Sequence, residues 1–216
     1  MVVVNSLRVA EVFDSIQGEG FWTGVPMSFV RLAGCNAVEL GLTCVRWCDT
    51  PQSWAPENGR KTSVEEVVAG VRLPRVCITG GEPLCQAVEL ASLIRELHRA
   101  GAKVHLETNG TIDPGPLLGS GDPMTEPDWV VLSPKPPCFA VAGGWGGVVD
   151  ELKLVADEFL DAEQAERLWV SNPGAIVCVQ PEWGGGQAAL DKAVALVMSH
   201  PLWRLSVQVH RLLGLL

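Results

Sequence analysis

Short apolar runs and helically spaced apolar residues alternate along this chain, and together they predict its secondary structure. Apolar runs bounded by turn residues are typical of buried strands, whereas apolar residues spaced three and four apart indicate helices. Strands are expected at residues 7–14, 27–32, 75–79, 104–107, 129–132, 151–155, 176–180 and 204–209. Helices are expected at residues 64–70, 86–100, 162–168 and 187–199.

The order of these elements predicts the fold class. Strands separated by helices form βαβ units, whose strands lie parallel in one sheet. The chain has 216 residues, without an internal repeat or a linker-like segment, and this length suits one domain or at most two small ones. An α/β protein with a mainly parallel sheet is therefore expected, with residues 1–216 in a single domain.

Polar segments rich in turn residues follow four of the predicted strands. They are residues 79–83, 107–110, 133–135 and 180–182. In parallel barrels and open α/β sheets, active sites lie at the carboxyl ends of the strands. Turn formation alone explains any one of these segments, but four polar segments at the same end of the sheet indicate a binding site there.

Composition and charge exclude several classes of protein. Residues of the set AVILMFWYC make up 47% of the chain and charged residues 19%, which is not typical of a disordered chain. The net charge is −9, whereas binding to bulk nucleic acid needs a basic surface. No apolar run is long enough for a membrane span, and the first residues do not resemble a signal peptide. The seven cysteines, an odd number, favour a reducing compartment, so a cytoplasmic location is expected.

Three of the cysteines lie close together in the sequence. Cys35, Cys44 and Cys48 fall within fourteen residues, just after the strand predicted at residues 27–32. Three thiolates on one loop can hold zinc or an iron–sulfur cluster. A structural zinc site needs four ligands, and residues 14–75 contain no histidine and no further cysteine. The spacing therefore favours a four-iron cluster with one iron left for a non-protein ligand, and three ordinary buried thiols are the alternative.

The residues around these cysteines resemble the cluster loop of the radical S-adenosylmethionine superfamily. The resemblance covers residues 29–36 and 44–50, and Trp47 stands where that superfamily has an aromatic residue before its last cysteine. The superfamily's usual spacing is Cys-x3-Cys-x2-Cys, whereas this chain has eight residues between the first two cysteines and three between the last two. Residues 79–83, Thr-Gly-Gly-Glu-Pro, resemble the superfamily's segment that holds the amino group of S-adenosylmethionine.

Further segments, in matching order along the chain, resemble the 7-carboxy-7-deazaguanine synthase family. They are residues 15–20, Arg31, and residues 107–110, 133–135, 151–153, 179–181 and 203–210. Residues 208–210 are Gln-Val-His where the family usually has Gln-Thr-His. The resemblance implies a partial (β/α)6 barrel of the radical S-adenosylmethionine type.

The resemblance also implies a reaction, its cofactors and its partners. A reduced [4Fe–4S] cluster would cleave S-adenosylmethionine, and the 5′-deoxyadenosyl radical would take a hydrogen atom from 6-carboxy-5,6,7,8-tetrahydropterin. The ring would contract and release ammonia, so that a carbon–nitrogen lyase would form 7-carboxy-7-deazaguanine for the biosynthesis of queuosine and other 7-deazapurines. Magnesium, a flavodoxin- or ferredoxin-like reductant and a homodimer are further implications, whereas a nucleic acid or a membrane is not expected as a partner.

The same resemblance implies site residues, position by position. The cluster ligands would be Cys35, Cys44 and Cys48, and Thr50 would bind magnesium, which prefers oxygen ligands. Contacts with the pterin are implied for Ile16, Gln17, Gly18, Arg31, Thr79, His210 and Leu216. Contacts with S-adenosylmethionine are implied for Trp47, Asp49, Gly81, Glu82, Glu107, Asn109, Ser133, Pro134, Lys135, Gln180, Pro181, Glu182 and Trp183.

Two other functions stay open at the level of the sequence. A radical enzyme that activates a glycyl-radical partner would share the cluster loop, but it gives no role to residues 15–20. A zinc-stabilised binding module would use the same cysteines without an iron–sulfur cluster. Arg31 also has two readings, because its paired N–H groups suit a substrate carboxylate and equally an ion pair at a strand end.

Overall fold

The computed structural model describes residues 5–215, in which nine β-strands and six α-helices follow one another along the chain. The strands are β1 (Ser6–Ile16), β2 (Pro26–Leu32), β3 (Arg60–Ser63), β4 (Arg75–Gly80), β5 (Lys103–Thr108), β6 (Trp129–Leu132), β7 (Glu151–Ala156), β8 (Ile176–Pro181) and β9 (Arg204–Leu205). The α-helices are α1 (Val64–Gly70), α2 (Ala87–Arg99), α3 (Gly115–Leu118), α4 (Ala162–Val170), α5 (Gly186–Ser199) and α6 (Val209–Leu213).

The nine strands form one sheet in the order β3-β1-β2-β4-β5-β6-β7-β8-β9. From β2 to β9 all neighbours in this order are parallel, whereas β1 is antiparallel to both β2 and β3. The expected α/β class with a mainly parallel sheet is therefore confirmed. The helical layer is incomplete, because only the four-residue α3 lies between β5 and β6, and residues 133–150 between β6 and β7 contain no helix.

Alternation along the strands separates an apolar face of the sheet from a chemically richer one. Leu90 of α2 packs in one core with Ile78 of β4 and Leu106 of β5, and all three are fully buried. Because successive side chains of a strand point to opposite faces, the neighbouring residues Thr79 and Glu107 point to the inner face of the partial barrel. The helices thus cover the apolar face and leave the polar face for binding.

Aromatic side chains from the β1–β2 connection fill the inner face near the amino ends of the strands. The Phe21 ring stacks on Trp129, the first residue of β6, at 5.2 Å, and the Trp22 ring meets the edge of His105 at 5.1 Å. The guanidinium of Arg75, the first residue of β4, lies 4.2 Å from the centre of the Trp22 ring. This packing occupies the amino-terminal half of the partial barrel and confines ligands to the carboxyl end.

The predicted strand at residues 204–209 is the main difference between expectation and structure. Only Arg204–Leu205 form a strand, and Val209 begins helix α6. The alternation is present but inverted, because the polar Ser206 and Gln208 are buried while the apolar Val207 is 36% exposed. The buried side chains of this segment face a polar cavity and not an apolar core. A prediction that assigns the apolar residues to the buried face therefore gives the wrong element.

The remaining predicted elements agree with the structure to within two residues at each end. The polar strand β3 was not expected, because it pairs with β1 at the edge of the sheet through backbone groups and needs no apolar side chains. The helix start at residues 64–70 is confirmed, since Ser63 Oγ accepts from Glu66 N and Glu66 Oε2 accepts from Ser63 N. Within residues 5–215, no helix has the length and apolar content that crossing a bilayer requires.

Replacing His105 with glutamine should flatten the dependence of stability on pH in mildly acidic solution. Burial first, and the neighbouring charge of Arg75 second, lower the pKa of His105 from 6.5 to about 4. Between these pH values the unfolded chain binds more protons than the folded chain, so the free energy of unfolding decreases as pH falls. The full contribution is on the order of 3 kcal/mol.

Urea denaturation of the wild type and His105→Gln at about pH 7 and about pH 4.5 measures this contribution, since groups common to both proteins cancel. The wild type should lose more stability on acidification than the variant. An equal loss in both proteins would contradict the assignment of this titration to His105.

Candidate active site

A cavity lies at the carboxyl ends of the parallel strands, where the sequence predicts a binding site. The predicted site residues that line it are Ile16, Gln17, Gly18, Arg31, Cys35, Cys44, Trp47, Cys48, Asp49, Thr50, Thr79, Gly81, Glu107, Asn109, Ser133, Lys135, Gln180, Pro181, Glu182, Trp183 and His210. Glu82 and Pro134 are not among the lining residues, and Leu216 lies outside the described part of the chain.

The three clustered cysteines line this cavity together as free thiols. Cys35 lies in the loop after β2, Cys44 in a 3-10 helix (Thr43–Arg46), and Cys48 just beyond that helix. Burial raises the pKa of Cys35 to about 11, and the other two thiols act in the same direction. Burial also raises the pKa of Cys44. Thiols of this kind become thiolates when they bind a strongly positive metal centre.

The separation of these thiols is wider than a single zinc ion requires. Zinc binds sulfur at about 2.3 Å, so its ligand atoms lie roughly 4 Å apart. Within residues 5–215, one set of three metal-binding side chains has all its ligand atoms within 4.8 Å of one another, namely Glu19, Asp49 and His210. The three cysteines do not form such a set. A larger group such as a four-iron cluster fits three thiols that share a cavity without being so close together.

The loop that carries Cys35 packs directly against the glycine-rich segment after β4. A Cβ atom at Gly81 would lie 2.3 Å from the carbonyl oxygen of Gly34 and 2.8 Å from Cys35 Cβ. The neighbouring Glu82 N donates to Gly34 O at 2.8 Å. Glycine at position 81 is therefore needed by the backbone of the cysteine loop itself, in addition to any approach of a ligand.

Glu82 binds groups inside the protein and does not face the cavity. It is 1% exposed, and its carboxylate accepts from Leu84 N at 3.0 Å, Thr108 Oγ1 at 2.8 Å and Asn109 N at 2.7 Å. Burial raises the pKa of Glu82, and these hydrogen bonds oppose the change. The side chain thus joins the ends of β4 and β5 and fixes the position of Asn109.

A half-buried lysine, Lys135, lines the same cavity as the cysteines. Lys135 Nζ donates to Ser133 Oγ at 2.8 Å and lies 5.5 Å from the centre of the Trp47 ring. Burial and the positive charge of Lys153 lower the pKa of Lys135. An anionic group of a ligand would relieve both effects, so this wall suits a carboxylate.

The C-terminal segment forms a further wall of the cavity. Val209 N donates to Gly18 O at 2.9 Å, and Arg211 Nη2 lies 3.0 Å from Asp49 Oδ2. A Cβ atom at Gly18 would lie 2.1 Å from His210 Nδ1, so this position also requires glycine. The β1–β2 connection, the cysteine loop and the C-terminal segment therefore meet at one point.

The charge pair at the base of the cavity was not predicted from the sequence. Lys153 Nζ lies 2.7 Å from Glu19 Oε2 and 3.8 Å from Glu107 Oε2. Glu19 Oε1 also accepts from Gln180 Nε2 at 3.1 Å and Gln208 Nε2 at 2.6 Å. Burial alone would raise the pKa of Glu19, but Lys153 and the hydrogen bond from Gln208 outweigh it and lower that pKa to about 2.

The side chains assigned to the pterin lie next to this charge pair. Gln17 Nε2 donates to Glu107 Oε1 and Thr79 Oγ1 donates to Glu107 Oε2, each at 3.1 Å. Arg31 Nε lies 2.6 Å from Glu11 Oε1, and the Arg31 side chain also lines the cavity. Arg31 therefore forms an ion pair and is also available to a ligand. Glu107, assigned to S-adenosylmethionine from the sequence, thus contacts the residues assigned to the pterin.

Comparison with known proteins identifies the family. No family model matches the sequence. The 7-carboxy-7-deazaguanine synthase of Synechocystis is 36% identical over 214 residues, which covers 97% of this chain and 93% of the relative. That of Methanospirillum hungatei is 35% identical over 224 residues, covering 98% and 87% of the two chains. The chain belongs to the 7-carboxy-7-deazaguanine synthase family. The crystal structure of QueE from Escherichia coli has 25% identity and a TM-score of 0.73 over 95% of each chain.

Membership of the 7-carboxy-7-deazaguanine synthase family confirms the expected partial radical S-adenosylmethionine barrel and decides between the hypotheses. The similarity extends over nearly the whole chain, and the relatives bear the name of an enzyme. The zinc-stabilised binding module and the activator of a glycyl-radical enzyme are therefore set aside. The eight-residue and three-residue gaps between the cysteines are accommodated within this family's fold.

Sequence signals for the unpredicted residues did exist. Glu19 lies inside the family-like segment at residues 15–20, and Lys153 lies in a strand that is buried at every position. A charged residue in a fully buried strand of an α/β protein requires a partner. Its partner Glu19 is 134 residues away in the sequence, and no local pattern connects the two positions.

Replacing Gly81 with alanine should weaken the binding of iron, because the new methyl group would displace the backbone of Gly34 and Cys35. The iron content of the protein after anaerobic reconstitution should fall severalfold. Gly146→Ala is the matched control, since a Cβ atom at Gly146 meets nothing within 4 Å. A normal iron content in Gly81→Ala would show that the cysteine loop tolerates the displacement.

Proposed function

We propose that this protein converts 6-carboxy-5,6,7,8-tetrahydropterin to 7-carboxy-7-deazaguanine, with release of ammonia, by radical chemistry. Family membership supports the reaction, since the full-length relatives are 7-carboxy-7-deazaguanine synthases. One structural observation carries the proposal for the site: Cys35, Cys44 and Cys48 line the same cavity as Gln17 and His210. The cluster side and the pterin side of a single active site are thereby adjacent.

The cofactors fit the chemistry of the cavity. Cys35, Cys44 and Cys48 would hold a [4Fe–4S] cluster and leave one iron for S-adenosylmethionine. When bound and reduced, this pair supplies the 5′-deoxyadenosyl radical that takes a hydrogen atom from the substrate. The protein supplies binding, orientation and exclusion of water.

The residues proposed to bind S-adenosylmethionine line the part of the cavity near the cysteines. Lys135, held by Ser133 and placed beside Trp47, offers an ammonium group to the carboxylate of the methionine moiety. Pro181 and Trp183, at and beyond the end of β8, offer apolar surface for the adenosine. Asn109 contributes an amide that is oriented by its hydrogen bond to Asn36 Oδ1 at 3.1 Å.

The residues proposed to bind the pterin line the opposite part of the cavity. Arg31 offers a guanidinium to the carboxylate of the substrate, and its Nε is fixed by Glu11. Gln17, Gly18 and His210 surround the ring from the β1–β2 connection and the C-terminal segment. The contact between Gly18 and the C-terminal segment limits the entry of water, which protects reactive intermediates from side reactions.

The location, the oligomer and the electron donor complete the proposal. We infer that the protein is cytoplasmic, that it accepts electrons from a flavodoxin- or ferredoxin-like protein, and that it forms a homodimer. Exposed apolar side chains in and just before the short edge strand β9 support a self-association surface: Leu202 is 80% exposed and Leu205 43%.

Each cluster ligand should be essential for product formation. Cys35→Ser, Cys44→Ser and Cys48→Ser should each lose the S-adenosylmethionine-dependent electron paramagnetic resonance signal, together with 7-carboxy-7-deazaguanine formation detected by mass spectrometry. Cys138→Ser is the matched control, because Cys138 is exposed and does not line the cavity. A wild-type protein that binds zinc and stays colourless, or that forms no product from the pterin, would refute the proposed function.

Thr50 should couple magnesium to the pterin. Its hydroxyl lines the cavity 3.6 Å from Cys48 Sγ, and one hydroxyl is a weak ligand until substrate oxygens complete the shell. Magnesium should therefore tighten pterin binding, and by linkage the pterin should tighten magnesium binding by the same factor. Calorimetry should find this coupling in the wild type and Thr50→Ser and a reduced coupling in Thr50→Ala. Equal pterin affinity with and without magnesium in the wild type would rule out the bridge.

A further inference from the structure

We propose that Lys153 is a positioning residue that holds Glu19 and Glu107 side by side, so that their carboxylates accept the N–H groups of the pterin's amino-pyrimidinone ring. The inference rests on the proposed function and deepens it. It assigns a place in the site to Glu19 and Lys153, which the resemblance does not place there, and it assigns Glu107 to the pterin instead of S-adenosylmethionine.

The position of Lys153 is imposed by the fold. The residue lies at the centre of β7, where every position is buried, and its side chain is 9% exposed. Its ammonium lies 2.7 Å from Glu19 Oε2, in the β1–β2 connection, and 3.8 Å from Glu107 Oε2, in β5. One buried charge therefore connects two carboxylates that come from distant parts of the chain.

Other donors fix the orientation of both carboxylates. Gln180 and Gln208 donate to one oxygen of Glu19, so that its plane cannot rotate freely. Gln17 and Thr79 donate to the two different oxygens of Glu107. An ionised carboxylate can accept about four hydrogen bonds, so each group keeps acceptor capacity beyond these contacts.

The two carboxylates remain accessible from the cavity. The Glu19 side chain is 15% exposed and that of Glu107 is 20% exposed, and both residues line the cavity. Their fixed oxygens suit a planar ligand edge that carries adjacent N–H donors, and the amino-pyrimidinone edge of a pterin is such an edge.

The local charge also determines how the substrate enters. Two carboxylates and one ammonium leave a net negative charge at this end of the pocket, which repels the carboxylate of the substrate. Arg31 lies opposite Thr79 in the register of β2 and β4, and Thr79 in turn binds Glu107. The pterin would therefore place its carboxylate towards Arg31 and its ring edge towards the carboxylates.

The test separates positioning from a merely structural role. Lys153→Met removes the charge at similar volume, Lys153→Arg retains it, and the double variant Lys153→Met/Glu19→Gln removes a matched pair of charges. Lys103→Met is the control, since Lys103 forms an ion pair with Asp128 at the surface, outside the cavity. Pterin affinity of the reconstituted enzyme is measured by anaerobic equilibrium dialysis, alongside the melting temperature and the S-adenosylmethionine-dependent cluster signal.

Lys153→Met should weaken pterin binding by about tenfold or more, because hydrogen bonds to correctly placed charged groups are lost. Lys153→Arg should recover much of the affinity, and Lys103→Met should bind the pterin as the wild type does. The double variant should regain a melting temperature near that of the wild type but not the affinity. The cluster signal should persist in all variants.

Two results would overturn the proposal. One is wild-type affinity in Lys153→Met; the other is full recovery of affinity together with the melting temperature in the double variant, which would make Lys153 structural. If Lys153→Met does not fold, the double variant alone decides by the same criterion. If either result is obtained while the wild type forms 7-carboxy-7-deazaguanine, only the role of Lys153 is refuted and the proposed function stands. A wild type that does not bind the pterin refutes both the role of Lys153 and the proposed function.

Discussion

An ammonium group can be buried in a protein only where opposite charges and hydrogen-bond acceptors surround it, and this constraint organises the carboxyl end of the barrel. Lys153 meets it through Glu19 and Glu107, which fixes the β1–β2 connection against β5 and β7. Glu19 in turn accepts from Gln208, so the C-terminal segment is fixed at the same point. The pKa of Lys153 reflects the balance, because burial lowers it but Glu107 and Glu19 raise it above its usual value. Four segments that are distant in sequence thus share one electrostatic anchor.

The residues beside Glu19 show how closely these segments must approach. A Cβ atom at Gly18 would overlap His210, and one at Gly20 would lie 1.9 Å from Glu151 Oε1. The connection therefore has glycine on both sides of the one residue that carries the charge. Beyond Gly20 the same connection places Phe21 against Trp129 in the amino-terminal half of the barrel. One short segment thereby helps to close one end of the barrel and to build the binding site at the other.

Sequence patterns predicted the elements that bury apolar side chains, and they missed the elements that depend on polar contacts. Strands such as β4 and β6 were recognised because apolar runs identify them, and the carboxyl ends of the strands were the correct place for the site. The prediction of a strand at residues 204–209 was wrong, because the buried side chains there are polar. Ser206 and Gln208 form hydrogen bonds to Gln180 and Glu19. Glu19 and Lys153 were missed for the same reason, since the pairing of charges 134 residues apart leaves no local periodicity.

The charge balance at the anchor links ligand binding to the stability of the empty enzyme. Three acidic residues, Glu19, Glu107 and Glu151, surround the single ammonium, and burial raises the pKa of Glu151 despite hydrogen bonds from Phe21 N and Trp129 Nε1. Like charges in a site of low dielectric destabilise the folded state until a donor compensates them. A ligand whose N–H groups provide that compensation binds the folded chain and not the unfolded one, so its binding energy adds to the stability of the fold. Because Lys153 already stabilises the charge of Glu19, the electrostatic strain of the empty site would lie at Glu151, the carboxyl whose pKa burial raises, and a donor from the ligand would relieve it.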